Sequence, residues 1–349
     1  MTTPSRAVLA CGLAAALTAL AAAACQKPVP VLHVYTWADY FKPEVLERFE
    51  TERRCHVVID TFDSNEAMYA KIKAGATGYD LLTPSTYMVG VLHAQGLLQP
   101  LDAALIPNRK NVDTDYLRIS LDPEMHHSVP YMLVKTGLAY RKSKVKDPVA
   151  SWTMLDRADL KGRITLLNDM RETIGAALKS LGYSLNTGDE KQLAEARKVV
   201  VRWKRNAAKF ENEQYKSGIA SGEFLLVQGY SGDILQVQAE NDDVAFVIPQ
   251  EGTSIACDEL VIPKTAKEVA LAHAFIDFLH DPDVAAENTV FLSYLCPNRA
   301  AYEKLGPEVR NNPAIFMEEA VRAKSEVVRD LGADNAKYVK VWDQIKAAR

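Results

Sequence analysis

The sequence predicts an α/β fold arranged as two lobes. Two observations support this prediction: segments with strand and helix character alternate from residue 32 to residue 82, and a second alternating series starts near residue 163. Alternating strands and helices are typical of a parallel sheet covered by helices. Roughly 320 residues follow Cys25, a length at which a chain normally divides into two cores.

The first series begins directly after the N-terminal leader. Val45, Leu46 and Phe49 recur at helical spacing, whereas the segment 56–62 is rich in β-branched residues. The predicted elements are strands at 32–37, 56–62 and 79–82 and helices at 43–53 and 65–73.

The second series repeats this alternation and the chain then ends in helical patterns. Its predicted strands lie at 163–167, 224–228, 243–248 and 258–263. Its predicted helices lie at 171–181, 191–208, 267–279, 315–329 and 335–348. We therefore expect a second α/β lobe.

Residues 1–25 have the pattern of a lipoprotein signal peptide. Arg6 precedes an uncharged, alanine-rich run that stops at Cys25, and small residues stand just before that cysteine. We expect export, cleavage before Cys25, acylation of its thiol and thus attachment to a membrane. An uncleaved membrane helix is the alternative, but about 18 residues, mostly alanine, are marginal for spanning a bilayer.

Charge and cysteine content exclude two classes of protein. The net charge is -4 and no basic tract occurs, which argues against a nucleic-acid partner. Cys55, Cys257 and Cys296 have neither C-x-x-C spacing nor companion histidines, so we expect no metal site and no cofactor. A disulfide between Cys257 and Cys296 is left open.

Aromatic and acidic side chains follow the predicted strands. In parallel sheets, ligands bind outside the carboxyl ends of the strands, so these side chains are the candidates for a ligand site. We expect Asp63 and Ser64 to cap the following helix instead. The candidates are Trp37, Asp39, Tyr40, Ser85, Tyr87, Asp169, Glu172, Tyr230, Asp233, Asp258 and Tyr294.

This set of residues is suited to a small organic cation. Aromatic faces attract an ammonium group by about 0.5–2 kcal/mol each and also contact methylene groups. Carboxylates at the two ends of a cleft add charge-assisted hydrogen bonds, which fix the length of a bound diamine or triamine.

Eight segments resemble the spermidine/putrescine-binding proteins of bacterial ABC transporters. The resemblance covers nearly the whole chain after the leader, in order. The segments are VYTWADY (34–40), FDSNE (62–66), YDLLTPSTY (79–87), SVPYM (128–132), DMRE (169–172), GYSGD (229–233), IPQEG (248–252) and YLCPN (294–298).

The resemblance implies a two-lobed periplasmic-binding-protein fold with a ligand cleft between lobes and hinge crossings. The crossings are expected at 133–137, at 252–257 and after 298. Residues 30–134 with 257–302 would form lobe 1, and residues 135–256 with 303–349 would form lobe 2. A monomer would bind a polyamine and deliver it to an ABC permease, without a cofactor.

The same resemblance assigns roles to the candidate residues. The carboxylates of Asp39, Asp169, Glu172, Asp233 and Asp258 would meet ammonium groups. The aromatic walls would come from Trp37, Tyr40, Tyr87, Tyr230 and Tyr294.

Three positions depart from the family pattern. Ala38 replaces a common hydroxyl residue, Tyr230 a common tryptophan and Ala256 a common aromatic residue. The last change is expected to open one end of the cleft. Tyr87 resembles spermidine-preferring members and the segment 229–233 resembles putrescine-preferring ones, so the preferred amine is left open.

Three alternatives remain at this point. An exported hydrolase could use Asp169 and Glu172 as an acid–base pair, although the sequence shows no raised pKa and no G-x-S-x-G motif. A sensor or scaffold lipoprotein of the same fold could bind a signalling partner instead of a permease. Another cation or an amino-acid-like ligand could also fit a cleft altered at Ala38 and Ala256.

Overall fold

The computed structural model describes residues 28–117 and 120–348. Cys25 and the predicted leader lie outside these residues. The strands are β1 (Val31–Thr36), β2 (His56–Thr61), β3 (Leu81–Leu82), β4 (Ser128–Arg141), β5 (Ile164–Leu167), β6 (Ala207–Glu211), β7 (Leu226–Tyr230), β8 (Val244–Val247), β9 (Ser254–Val261) and β10 (Glu326–Val327).

Helices cover both series of strands. The α-helices are α1 (Pro43–Arg53), α2 (Asn65–Lys73), α3 (Thr86–Ala94), α4 (Thr114–Leu117), α5 (Met170–Ser180), α6 (Glu190–Asn206), α7 (Gln214–Ser221), α8 (Ser231–Glu240), α9 (Val269–Leu279), α10 (Pro282–Leu292), α11 (Arg299–Tyr302), α12 (Pro307–Arg310), α13 (Glu319–Arg322) and α14 (Asn335–Ala347). Short 3-10 helices lie at Ala103–Leu105, Pro107–Asn111, Trp152–Asp156, Ala158–Leu160 and Gly332–Asp334.

The strands form a mixed sheet whose order is β2-β1-β3-β9-β4-β7-β5-β6. β1 is parallel to β2 and β3, and β5 is parallel to β6 and β7. The carboxyl ends of the parallel strands in each group therefore share one edge. The α/β, two-lobed prediction is confirmed.

β4 lies between the two parallel groups in the sheet, with β9 on one side and β7 on the other. Its first half, from Ser128 to Lys135, pairs antiparallel with β9, and its second half, from Thr136 to Arg141, pairs with β7 and β8. β4 was not among the predicted strands. Nearly all its positions are buried, so it lacks the alternation of polar and apolar residues that reveals a strand with one exposed face.

The buried side chains fall into separate cores. Leu166, Trp203 and Tyr338 belong to one core, which packs around β5, α6 and α14. Val129 and Leu295 belong to another, which also contains Leu305, Val309 and Ile315. The segment around α12 thus packs with the first group of strands, before the chain returns to the second group at α14.

Two predicted helices end differently in the structure. The predicted helix 315–329 is wrong: the segment contains the short helix α13 and then β10, which pairs with Ser254 and Ile255. Backbone pairing with β9 overrides the helical spacing there. The predicted helix 191–208 ends at Asn206, and β6 follows at once without a turn.

Within 28–117 and 120–348, no helix has both the length and the apolarity needed to span a membrane. The same ranges contain no group of three or more His, Cys, Asp or Glu side chains placed to hold a metal ion. Cys55, Cys257 and Cys296 are free thiols in the structure.

Candidate functional site

A cleft between the two groups of strands encloses about 1010 Å³, measured to its open mouth. The structure brings all eleven candidate residues to its wall, from segments as distant in sequence as β1 and α10. They are Trp37, Asp39, Tyr40, Ser85, Tyr87, Asp169, Glu172, Tyr230, Asp233, Asp258 and Tyr294. Their contact with a ligand remains a prediction.

Asp258 lies on β9 at the centre of the sheet and is 4% exposed. Ser85 Oγ donates a hydrogen bond of 2.6 Å to its Oδ1, and the Tyr40 hydroxyl donates to its Oδ2. Asn65 fixes Ser85 in turn, since its Oδ1 accepts the Ser85 backbone N–H at 3.0 Å and its Nδ2 donates to Ser85 Oγ at 3.1 Å. Ser85 stands at the N-cap position of α3 without capping it, because its hydroxyl is used on Asp258.

Among the described residues, the side chains that hydrogen-bond to the Asp258 carboxyl are uncharged. Burial raises its pKa to about 6, and the hydrogen bonds from Ser85 and Tyr40 oppose that rise. A buried carboxylate held by neutral donors gains most from a cation that brings a full positive charge.

Asp169 and Glu172 form a second acidic group at the start of α5. Asp169 caps this helix: its Oδ1 accepts the backbone N–H groups of Arg171 at 2.9 Å and Glu172 at 3.0 Å. Glu172 Oε2 accepts hydrogen bonds from Thr136 Oγ1 at 2.8 Å and from Ser254 Oγ. The cap thus fixes Asp169, the two hydroxyls fix Glu172, and both residues line the cleft.

The pKa values of both carboxyls are raised. For Glu172 the pKa rises to about 7, first because of burial and second because of the nearby Asp169 charge. Burial also raises the pKa of Asp169, against the hydrogen bonds that its cap makes. Arg171 lowers both pKa values, yet its Nη atoms are bound to Arg329 O and Asn186 Oδ1, each at 2.8 Å.

Asp233 in the first turn of α8 marks a third acidic point in the cleft. The Tyr294 hydroxyl donates to its Oδ1 at 3.0 Å, and the Tyr215 hydroxyl donates to its Oδ2. Asp39 lines the cleft from the other group of strands: it follows β1, is exposed, and has a φ of 53°. Aspartate tolerates this left-handed conformation better than most residues.

Aromatic rings separate the three acidic points. Trp37 packs edge-on against Phe62 at 4.4 Å between centroids, and its Nε1 donates to Thr83 O at 3.0 Å. The rings of Tyr40 and Tyr294 are 6.4 Å apart. The Tyr230 hydroxyl lies 3.4 Å from Asp169 Oδ2. These rings are fixed by packing and by hydrogen bonds to the backbone or to carboxylates, so they form pre-ordered walls.

One capping prediction is confirmed and one is wrong. Ser64 Oγ accepts the Ala67 N–H at 3.2 Å and caps α2. Asp63 does not cap the helix and instead lines the cleft. Because the residue directly before α2 takes the cap position, Asp63 is one residue too early and points elsewhere.

The prediction missed a group of cleft residues after β6: Asn212, Glu213 and Lys216. The rule that ligands meet the carboxyl ends of strands would have found them, but β6 was not predicted as a strand. Its first two residues were included in the predicted helix 191–208. The phenylalanine and alternating charges of 207–211 were the available signal. Lys216 matters most, because the predicted site had no lysine.

The departures at Ala38 and Ala256 both lie on the cleft wall. Ala256 is paired with Val134 on β4, and Val328 lines the cleft as well. This part of the wall is therefore small and apolar.

An acid-rich, tyrosine-walled cleft between two α/β lobes defines a solute-binding protein. The chain belongs to the family of bacterial extracellular solute-binding proteins, whose model matches residues 44–317. The family works outside the cytoplasm.

Particular relatives are similar over most of their length. The chain is 34% identical to the spermidine/putrescine-binding periplasmic protein of Escherichia coli (strain K12), covering 91% of this chain and 92% of that protein. It is 34% identical to the putrescine-binding periplasmic protein SpuD of Pseudomonas aeruginosa, covering 98% of both.

Solved structures agree with the fold. A putative spermidine/putrescine ABC transporter from Listeria monocytogenes has a TM-score of 0.86 and 34% identity, over 91% of this chain and 99% of that one. The Tp0655 lipoprotein of Treponema pallidum has a TM-score of 0.82 and 34% identity, over 90% and 99%.

Proposed function

We propose that this protein captures a polyamine in the interlobe cleft and delivers it to an ABC permease. The observation that carries the proposal is the arrangement of the cleft itself: three separate acidic points, joined by tyrosine and tryptophan walls. The names of the relatives, which include binding proteins for putrescine and spermidine, point to the same class of ligand.

The physical basis is the state of the buried carboxyls. Asp258 and Glu172 are held in low-dielectric surroundings with raised pKa values, so ionising them costs free energy in the empty protein. An ammonium group at each of two such carboxyls recovers that free energy. The methylene groups between the ammonium groups contact aromatic rings, which also attract the charge.

We propose that the cleft closes by a hinge movement of the lobes. Residues 30–134 with 257–302 form lobe 1 and residues 135–256 with 303–349 form lobe 2 in our prediction. The packing of Leu305, Val309 and Ile315 with Val129 favours a later return crossing, after residue 316 rather than after Asn298. Closure would bury the amine and give the permease a single shape to recognise.

We propose that Cys25 carries a lipid and that the protein acts as a membrane-anchored monomer. The sequence before Cys25 supports this, and one structural relative is a lipoprotein.

We propose that the protein binds its ligand without catalysing a reaction. Asp169 and Glu172 lie in one helical turn, on the same side of the cleft, whereas an acid–base pair flanks the bond that it cleaves.

Calorimetric titration of the processed protein with putrescine, spermidine, spermine, cadaverine and agmatine tests the proposal. We expect 1:1 binding of at least one amine and a rise in unfolding temperature. The matched control ligand is 1,4-butanediol, which keeps the four-carbon chain and lacks both charges; we expect it to give no heat. Absence of both heat and thermal shift with every amine would refute polyamine binding.

A further inference from the structure

Lys216 introduces a positive charge into an otherwise acidic cleft. It lies in the first turn of α7 and lines the cleft, with its side chain 30% exposed. Its Nζ is 3.6 Å from Glu213 Oε2. Burial lowers the pKa of Lys216, but the charges of Asp233, Glu213 and Asp39 raise it by more. The pKa is therefore above its usual value, and the ammonium group is charged at neutral pH.

The carboxylates around Lys216 come from both sides of the cleft. Asp39 follows β1 in the first group of strands, whereas Glu213 and Asp233 lie at the starts of α7 and α8 in the second group. Tyr215 and Tyr294 hold Asp233 in place by donating to both of its oxygens. A lysine ammonium group is thus present in a part of the cleft that is lined by carboxylates from both groups of strands.

The cleft consequently has three acidic stations in different states. The first station is Asp258 and the second is Asp169 with Glu172; no lysine or arginine side chain hydrogen-bonds to these carboxylates among the described residues, and the Nη atoms of Arg171, which also lines the cleft, are bound elsewhere. The third station is Asp39 with Asp233, which line the cleft together with the Lys216–Glu213 ion pair.

We propose that Lys216 is a specificity-determining residue: its ammonium group, paired with Glu213, lies beside the Asp39–Asp233 station, so that the cleft favours a diamine over a triamine. The inference rests on the proposed function. A diamine satisfies the other two stations. A triamine must place a third ammonium group beside Lys216, and this like-charge approach discriminates against it without weakening the shorter ligand.

The decisive experiment compares putrescine and spermidine in the full processed protein and in Lys216→Met. Methionine keeps the length and apolar stem of lysine and removes its charge. We expect spermidine affinity to rise about tenfold relative to putrescine affinity, which corresponds to about 1.4 kcal/mol. Lys216→Arg keeps the charge and is expected to keep the parent ratio.

Lys198→Met is the matched control, because Lys198 is an exposed residue of α6 and its loss changes the net charge equally. We expect the parent ratio in this control, and thermal unfolding of each variant verifies that it is folded. Should Lys216→Met alter both affinities by the same factor, or neither, Lys216 does not determine the preference and the inference is overturned.

A further ligand separates a counter-ion from an anion-binding role. L-ornithine carries a carboxylate as well as two amines; we expect it to bind poorly, since Lys216 is already paired with Glu213 and the cleft around it is acidic. Strong L-ornithine binding that is lost in Lys216→Met would show that Lys216 recognises a carboxylate, which overturns the inference. Failure of every amine to bind the parent protein overturns the proposed function and this inference together, whereas an unchanged ratio in a protein that binds amines overturns this inference alone.

Discussion

The Asp258 station and the Asp169–Glu172 station are built in opposite ways. Asp258 is held by Ser85 and Tyr40, which lie 173 and 218 residues away in sequence. Asp169 and Glu172 share the first turn of α5 and are oriented by a local helix cap. Their environments nevertheless converge, because burial raises the pKa of each carboxyl.

The difference shows where each station is vulnerable. Asp258 depends on long-range packing in the first lobe and stands without a second carboxyl, so its loss removes a whole station. Glu172 has Asp169 beside it, but its hydrogen bonds with Thr136 and Ser254 tie it to the strands that run between the lobes. Four predictions test this contrast, from the largest expected change in free energy to the smallest.

Asp258→Asn is expected to weaken amine binding about 100-fold, or roughly 3 kcal/mol, because a buried ammonium group loses its charged partner. Calorimetric titration with the preferred amine measures the change. The matched control is Glu259→Gln on the same strand: this carboxyl is 1% exposed and accepts hydrogen bonds from Thr86 and Ser128, outside the cleft. An equal loss in both variants would mean that Asp258 acts through the fold.

Glu172→Gln is expected to weaken amine binding about 30-fold, less than the loss of Asp258, since Asp169 remains in the same station. The same titration measures it. Thr136→Val removes one donor to Glu172 while keeping its charge, and we expect an effect below about threefold from it. A loss in Glu172→Gln that exceeds that of Asp258→Asn would reverse the proposed ranking of the stations.

Amine affinity is expected to fall about tenfold or more as pH is lowered from about 8 to 5. The carboxyls of Asp258 and Glu172 have pKa values of about 6 and about 7, so they take up protons in this window and lose the charge that attracts an amine. Titrations at pH 7 in buffers of different ionisation enthalpy are expected to show proton release on binding. Affinity that is independent of pH would contradict the assignment of these carboxyls to the ligand.

The empty protein is expected to gain about 1 kcal/mol in free energy of unfolding at pH 8 when Asp258 is replaced by Asn. A carboxyl whose pKa is raised on folding stabilises the protein below its unfolded pKa, and this stability is lost as pH rises towards the folded value of about 6. Asparagine avoids the buried charge, although its hydrogen bonds are weaker. Denaturant unfolding at pH 8 and pH 5 measures the effect; a gain at pH 5 alone would have the wrong sign.

Local signals were sufficient for several elements and for most of the candidate residues that line the cleft. The bounds of α1 and α2 match the predicted 43–53 and 65–73, because Pro43 opens one helix and Ser64 caps the other. Most candidate residues follow strands, so a rule about sheet edges led to them, whereas Asp258 lies within β9 and Tyr294 follows α10. Elements set by distant contacts were not predictable in this way: β4 is buried at nearly all of its positions, and β10 exists because it pairs with β9.

Lys216 shows the same limit within the site. Its position in the cleft depends on β6, which begins at the residue after α6 without a glycine or proline to mark the change. The pairing of β6 with β5 decides where the helix ends and the strand begins. The sequence of the segment itself carries no signal of that pairing.

The position of β9 has a consequence for biosynthesis. In the described sheet, β9 connects β2, β1 and β3 to β4 and the remaining strands, yet it starts only at Ser254. A nascent chain therefore has more than 250 residues in place before its first lobe can complete a sheet. Such long-range pairing slows folding. We therefore expect the first lobe to fold late, after most of the chain has been synthesised.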